Sequence, residues 1–417
     1  MVVGNGRRGW GWACGGLVVL ALFLALAFSP VQAVRAASLS ATNCLDDGSA
    51  GSLRTVIAGA TAGDTITFAQ DCNPITLASV LTIGKTLTID GTGHTVTISG
   101  GSTTRLFFVN GNATAVMNGL TLTGGYVNDG TYGGGIYNGG TLTVTNSTLS
   151  GNFANNSGGG GGILNDGPLT LVNTTISGNS ASDGAGIFNR AGGTVNVTNS
   201  TLSGNTGGSG GSGGGIYNTA GGKVTVTNST LSGNSTSNLG GNGSGGRGGG
   251  IYNGGTLTVT NSIVSGNYAP YSGGGIHNSA GGTVTLRNST ISGNSGPYEG
   301  RGIYNLGTVN ATNTLIVNNG TSPYGEVSPN GLSGTSTHNL TGPFTLATPL
   351  QNNGGPTQTL AIPTPATPTA TDAYQQGDLA TCNAITPGGT PQGVYDQRGA
   401  PAWWAAHAAL GHTNPAP

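Results

Sequence analysis

From Thr141 to Thr145 the chain reads Thr-Leu-Thr-Val-Thr, polar and apolar residues in strict alternation. Period two marks a half-buried strand, and no helical period fits it. The pattern returns in seven copies between Gly133 and Asn319, each preceded by a glycine run ending in Ile and closed by a Thr-Leu-Ser-Gly-Asn variant. Ile136, Ile163, Ile187, Ile216, Ile251, Ile276 and Ile303 anchor the copies, 24 to 35 residues apart. Such a period means one supersecondary unit stacked on itself. Each copy holds three short runs, Ile-Tyr, Leu-Thr-Val and Thr-Leu-Ser, each closed by Asn, as at Asn138, Asn146 and Asn152. Three strands and three corners per copy predict an all-β fold, a right-handed single-stranded parallel β-helix with three sheets.

Length variation between copies sharpens the picture. From the Ile to the middle Asn the count is 10 or 12, the longer copies carrying a pair such as Ala191-Gly192. Two extra residues preserve which face points inward, whereas one would reverse it. From the closing Asn to the next Ile the count runs from 8 to 17, so that corner reads as a loop and all variable loops leave along one edge. The stretch from Ser235 to Gly246 is the longest example and is expected to carry no core residue. Columns of identical Asn at the corners imply amides bonded coil to coil, since buried unpaired amides are costly.

Charged residues are only 6% of the chain, and 82 of its 417 residues are Gly. Ordinary globular chains carry about 25% charge, so broad charged faces are absent. Arg7 and Arg8 precede an apolar run from Leu17 to Phe28 and then small residues, the layout of a signal peptide over 1–37. Its removal, with Arg7, Arg8 and Arg35, leaves 13 acidic and 9 basic residues, a net charge of −4 with no basic patch. Nucleic acid is therefore excluded as a partner, and no transmembrane helix remains in the exported chain. Export permits a disulfide, expected between Cys44 and Cys72, with Cys382 left over. Residues 38–125 read as an N-terminal cap and first coils, with a short helix near Gly51–Ile57. Residues 126–342 hold the repeats, and beyond them the chain turns Pro- and Thr-rich.

On these residues the chain resembles secreted right-handed parallel β-helix proteins of the pectin-lyase-like superfamily. Its Gly-Gly-Gly-Ile units are similar to the repeats of polymorphic outer membrane proteins. Gly63-Asp64-Thr65-Ile66-Thr67-Phe68 resembles their entry module. Residues 343–400, with Asn353-Gly354-Gly355-Pro356, Cys382 and Asp396-Gln397-Arg398-Gly399, resemble a choice-of-anchor Q segment, followed by an atypical tail over 401–417. The resemblance implies export and surface exposure, and no particular chemistry.

Enzymes built on β-helices cleave polysaccharides with clustered carboxylates. Between Ala113 and Gly320 the acids are Asp129, Asp166, Asp183 and Glu299. At about 4.8 Å per coil, Asp183 and Glu299 lie about 19 Å apart, too far to work together. Asp129, Asp166 and Asp183 form the one candidate catalytic group, although solvated loop acids are the plainer expectation. No metal motif and no cofactor motif is present. The residue after each Ile faces away from the core, giving a stripe of Tyr137, Phe188, Tyr217, Tyr252 and Tyr304, with Leu164 and His277 in the same column. Such rings suit contact with sugars. Sequons at Asn146 and Asn228 fall at corners where Asn is expected to face inward, which disfavours glycosylation. The expectation is a monomeric, secreted or cell-surface, non-catalytic β-helix that displays loops to a surface polysaccharide or to a host or neighbouring cell. The alternative is a polysaccharide lyase or glycoside hydrolase.

Overall fold

A computed structural model describes residues 36–128, 132–237, 245–320 and 326–342. The expected leader, the choice-of-anchor-like segment, Cys382 and Asp129 lie outside the described residues. What is described is a parallel β-solenoid. One coil runs Ile136–Asn138, Thr141–Thr145, Thr148–Ser150 and Phe153–Gly159, and each strand pairs in parallel with its counterpart one coil on. Stacked, these make two sheets of 11 strands and one of 10. Parallel crossovers within a sheet are right-handed almost without exception, and the coil fits a right-handed parallel β-helix.

Alternation does what the sequence predicts. In Thr141–Thr145 the two apolar residues are fully buried and the three threonines half-buried. Ile136, Ile163, Ile187, Ile216, Ile251, Ile276 and Ile303 stand in register, with no exposed area. Register survives the extra pair in the longer copies for a different reason from parity. Ala191 and Gly192 sit in a turn outside the strands, closed by the Gly193 N–H on the Arg190 carbonyl at 3.0 Å.

Two of the three Asn columns are internal ladders. In one, Asn138, Asn165, Asn189, Asn218, Asn253 and Asn278 each donate Nδ2 to the next coil's Oδ1 at 2.7 to 2.9 Å, and Asn305 ends the ladder as an acceptor. The other runs from Asn152 to Asn319 in the same way. The third column corrects the sequence reading. Asn146, Asn173, Asn199 and Asn228 adopt φ of 48 to 50°, and the Asn146 side chain is exposed rather than inward. Asn tolerates this left-handed backbone better than other non-glycine residues, which is why it recurs there. The following Ser147 is the buried member, its Oγ donating to the Thr145 carbonyl at 2.6 Å.

The variable corner is more than loop. Tyr126–Val127, Phe153–Gly159, Ser180–Asp183, Thr206–Ser209 and Ser235–Ser237 form a fourth parallel sheet of five strands. Its small core is Val127, Ala154, Ala181 and Ala185. The segment expected to hold no packed residue therefore begins with a strand in which Thr236 is buried.

At the N-terminal end the expected helix forms as Leu53–Gly59, with Ser52 accepting from the Thr55 N–H and Leu53 and Ile57 buried. Asp46 accepts from Arg54 Nε and Nη2 at 2.8 and 2.7 Å and from the Ala78 N–H at 2.7 Å, tying the cap to the first coils. Cys44 and Cys72 are joined, Cα atoms 5.3 Å apart. Non-reducing peptide mapping of the protein purified under oxidising conditions should return these two cysteines as one cross-linked pair; free thiols at both would contradict it.

Candidate functional site

The Ile-Tyr-Asn sheet carries its ring column on the side away from the core. Phe188 and Tyr217 stack with centroids 4.9 Å apart and planes 2° from parallel, and Tyr217 and Tyr252 stack at 4.5 Å. His277 continues the stack between Tyr252 and Tyr304, 5.0 Å from each. A ladder spacing close to the stacking distance makes this automatic when rings share a register position. Leu164, fully buried, interrupts the column, and beyond it Tyr137 stacks on Phe108 at 4.8 Å. Phe108 escapes the sequence reading because its coil lacks the Gly-Gly-Gly signature. The stripe thus exists, but each inner ring spends both faces on its neighbours. Only edges, hydroxyls and terminal faces remain for a ligand. The variable corner also lies against it: a Cβ on Gly159 would sit 2.1 Å from the Phe188 ring, so glycine is needed for that approach.

Of the three candidate acids, Asp129 lies outside the described residues, and the other two have separate surroundings. Asp166 follows ladder residue Asn165, and Arg190 follows Asn189 one coil on. The Arg190 Nη1 approaches Asp166 Oδ2 at 3.4 Å, and the Tyr137 hydroxyl donates to the same oxygen at 2.5 Å. The Arg190 guanidinium also lies 4.2 Å from the Tyr132 ring centroid. Arg105 donates to the carbonyls of Gly133 and Tyr132 at 2.8 and 2.6 Å, its guanidinium 5.6 Å from the Tyr137 ring. Asp183 instead lies in the fourth sheet, where it accepts the Ser212 N–H at 2.7 Å. Burial pushes its carboxyl above the ordinary range. Burial and the hydrogen bond to Asp166 likewise raise the Tyr137 phenol, which holds it protonated and makes it a poor base.

Arg190, Arg105 and Tyr132 are additions to the sequence-derived set. The Asp166–Arg190 pair has a sequence signal, opposite charges at the same repeat position in consecutive coils. Among the described residues, no group of three or more His, Cys, Asp or Glu side chains is placed to hold a metal ion. None of the described helices is long and apolar enough to cross a membrane.

His277 occupies a strongly shifted site in the column. It is buried, shares a hydrogen bond between Nδ1 and Ser272 Oγ at 2.9 Å, and its pKa is pushed down to about 3 by desolvation and then by the Arg247 charge. With the folded value below the unfolded one, the unfolded chain takes the proton first. Stability is complete above about pH 6.5 and is lost as the pH falls toward 3. Between pH 7 and 5.5 the loss should be about 1 kcal/mol. Asp183 and Glu326, both raised by burial, act in the opposite sense and are common to both proteins in a comparison of native with His277→Phe. Denaturant melts at the two pH values should show the variant losing less; parallel pH profiles would remove His277 as the cause.

No protein-family model matches the chain, and no curated protein matches it. Among solved structures it is similar to pectate lyase Pel9A, at a TM-score of 0.40 and 13% identity over 67% of this chain and 75% of that one. It is also similar to jun a 1, the major allergen from cedar pollen, at 0.30 and 16% over 76% and 83%. Likenesses of this size say nothing of chemistry, and the strand register alone defines the architecture given above.

Proposed function

We propose that this protein is an exported, non-catalytic β-helix that holds its variable edge outward for contact with a polysaccharide or with another cell's surface. The observation that supports this most is the occupation of the candidate acids. Asp166 is taken up by Tyr137 and Arg190, and Asp183 by a buried backbone N–H. A hydrolase needs one carboxyl free to give a proton and a second placed across the bond. The half-exposed Arg190–Tyr132 pair and the edges of the ring column give a binding surface instead. The leader over 1–37, the cap and first coils over 38–125, the repeats over 126–342 and the surface-attachment role of 343–400 belong to this reading. The purified exported chain on a glycan array, together with assays for new reducing ends and unsaturated products on each bound glycan, tests it. Binding without turnover is expected, and turnover would overturn it.

One observation favours a second reading, a polysaccharide lyase or glycoside hydrolase. A phenol, a carboxylate and a guanidinium meet beside an aromatic column at Tyr137, Asp166 and Arg190. On that reading Asp166→Asn abolishes turnover while leaving the melting curve near native.

A further inference from the structure

Asp64 keeps only 2% of its surface, in the turn between the helix Leu53–Gly59 and the strand Thr65–Phe68. Its Oδ2 accepts from the Thr61 N–H at 2.7 Å and from Thr61 Oγ1 at 2.9 Å, and its Oδ1 accepts from the Ala37 N–H at 2.7 Å. These bonds, that of the Ala37 N–H first, hold the carboxyl below the ordinary carboxylate range, so it is charged at neutral pH. Among the described residues no Lys, Arg or His side chain lies within ion-pair distance of it. Lys85 acts on it from farther off, its Nζ donating to the Ala58 and Ala60 carbonyls at 3.2 and 2.6 Å. A buried charge held by neutral donors alone is costly, and a cation at one of those donors would offset that cost.

The donor at Ala37 can become that cation. Ala37 directly precedes the first strand, Ser38–Ala41, which pairs in parallel with Thr65–Phe68, and its carbonyl accepts the Thr65 N–H at 2.9 Å. It therefore belongs to the folded cap, one residue inside the leader boundary read from the sequence. In front of it Val34-Arg35-Ala36 has the small-residue spacing at which leader peptidases cut, and Ala36 and Ala37 are both exposed. We infer that the leader is cut between Ala36 and Ala37, and that the new α-ammonium of Ala37 forms an ion pair with Asp64 that fastens the first strand to the cap. The inference rests on the exported reading given above. In the hydrolysis, water adds across the Ala36–Ala37 bond, and the proton shed by the new Ala36 carboxyl goes to the Ala37 amine, which ordinarily titrates at about 7.7–8.0. The nitrogen that already meets Asp64 as a neutral amide then meets it as a charged donor, which makes a hydrogen bond roughly twice as strong. Pairing raises the amine's folded pKa above its unfolded value. The added stability is thus complete below about pH 7.7 and is lost as the pH rises through the folded value.

Two chains test the pair without relying on export, one starting at Ala37 and one at Ala36, each released from an N-terminal fusion by a protease that leaves no extra residue. In the Ala37 chain the α-amine should acylate at pH 7 about tenfold more slowly than in its Asp64→Asn counterpart, the effect of one pKa unit. Melts of the two unsubstituted chains read the same pair without the substitution. The Ala37 chain should melt higher at pH 7, and the gap should close toward about pH 10, where the amine is neutral. Equal acylation rates with and without Asp64, or no gap that closes with pH, would overturn the ion pair. The cut site is read by N-terminal sequencing of protein collected outside cells that express the whole 417-residue chain, where Ala-Ser-Leu-Ser is expected. A start after Ala33, or at any residue other than Ala37, would overturn the inference and leave the exported reading standing. An uncut chain retained in the cells would overturn both.

Discussion

Replacing Asn205 by Ala should cost more than about 3 kcal/mol, although the substitution removes no apolar contact column. Asn205 Oδ1 accepts twice from one residue of the preceding coil, from the Asn179 N–H at 3.1 Å and from Asn179 Nδ2 at 2.9 Å. Its own Nδ2 donates to the Ile176 carbonyl at 3.0 Å and to Asn234 Oδ1 at 2.9 Å. With the side chain gone, the Asn179 N–H is left buried without this acceptor, while Asn179 Nδ2 keeps the Leu149 carbonyl at 3.1 Å. One orphaned N–H at about 1–3 kcal/mol plus the void of a fully buried side chain gives the estimate. Asn205→Asp separates the two contributions. A carboxylate still accepts from Asn179 but places charge against Asn234 Oδ1 and the Ile176 carbonyl. Desolvation and those oxygens raise the carboxyl pKa, so the variant should recover part of its lost stability as the pH falls through that value. Urea melts at pH 7 and pH 4 read this directly; an Asp variant that loses ground on acidification relative to native would contradict the ladder's role.

The ladder was legible in the sequence because seven copies of the same amide at one repeat position leave few other ways to satisfy buried Asn. Residue type alone does not separate the columns. Asn138, Asn146 and Asn152 look alike, yet the middle one faces out, because there the chain turns through a left-handed residue and Ser147 turns in. The fourth sheet was illegible for another reason. Ser180–Asp183 and Thr206–Ser209 show little apolar alternation, since their inner side is filled by Ala and by glycine backbone packed at close range. Periodicity reads strands through the size of what they bury, and these bury almost nothing. The aromatic column was visible as a column, but its stacking follows from the interstrand distance, which changes its use from a platform to a ladder. At the candidate site Asp166 could be found from its charge. Its partner Arg190 becomes visible once copies are aligned position by position, whereas Tyr132 sits in the variable corner, where no repeat position marks it.

Stability should separate from the variable edge when Ile216→Ala is compared with a shortened corner. Ile216 is fully buried, paired in register between Ile187 and Ile251, so truncation opens a void bounded by two neighbouring coils. The expected cost is about 2–5 kcal/mol, with local fraying confined near that coil because each coil contacts mainly its neighbours. The corner between the strand Ser235–Ser237 and Gly245 offers the contrast. Its flanks must stay, because Thr236 is buried and the Gly246 N–H donates to the Gly211 carbonyl at 2.9 Å. The ends are close, the Ser237 carbonyl oxygen lying 3.6 Å from where a Cβ on Gly246 would stand. Exchanging residues 238–244 for a two-residue Asn-Gly link is therefore expected to leave the described core residues in place. Shortening seven residues to two changes closure entropy by only about 1 kcal/mol, so the melting temperature should stay near native while glycan or cell-surface binding falls if this edge makes the contact. Differential scanning calorimetry of the two variants beside native decides it. A corner exchange that unfolds the protein as severely as Ile216→Ala would mean that residues 238–244 belong to the packed solenoid, and the outward-display reading would fall with it.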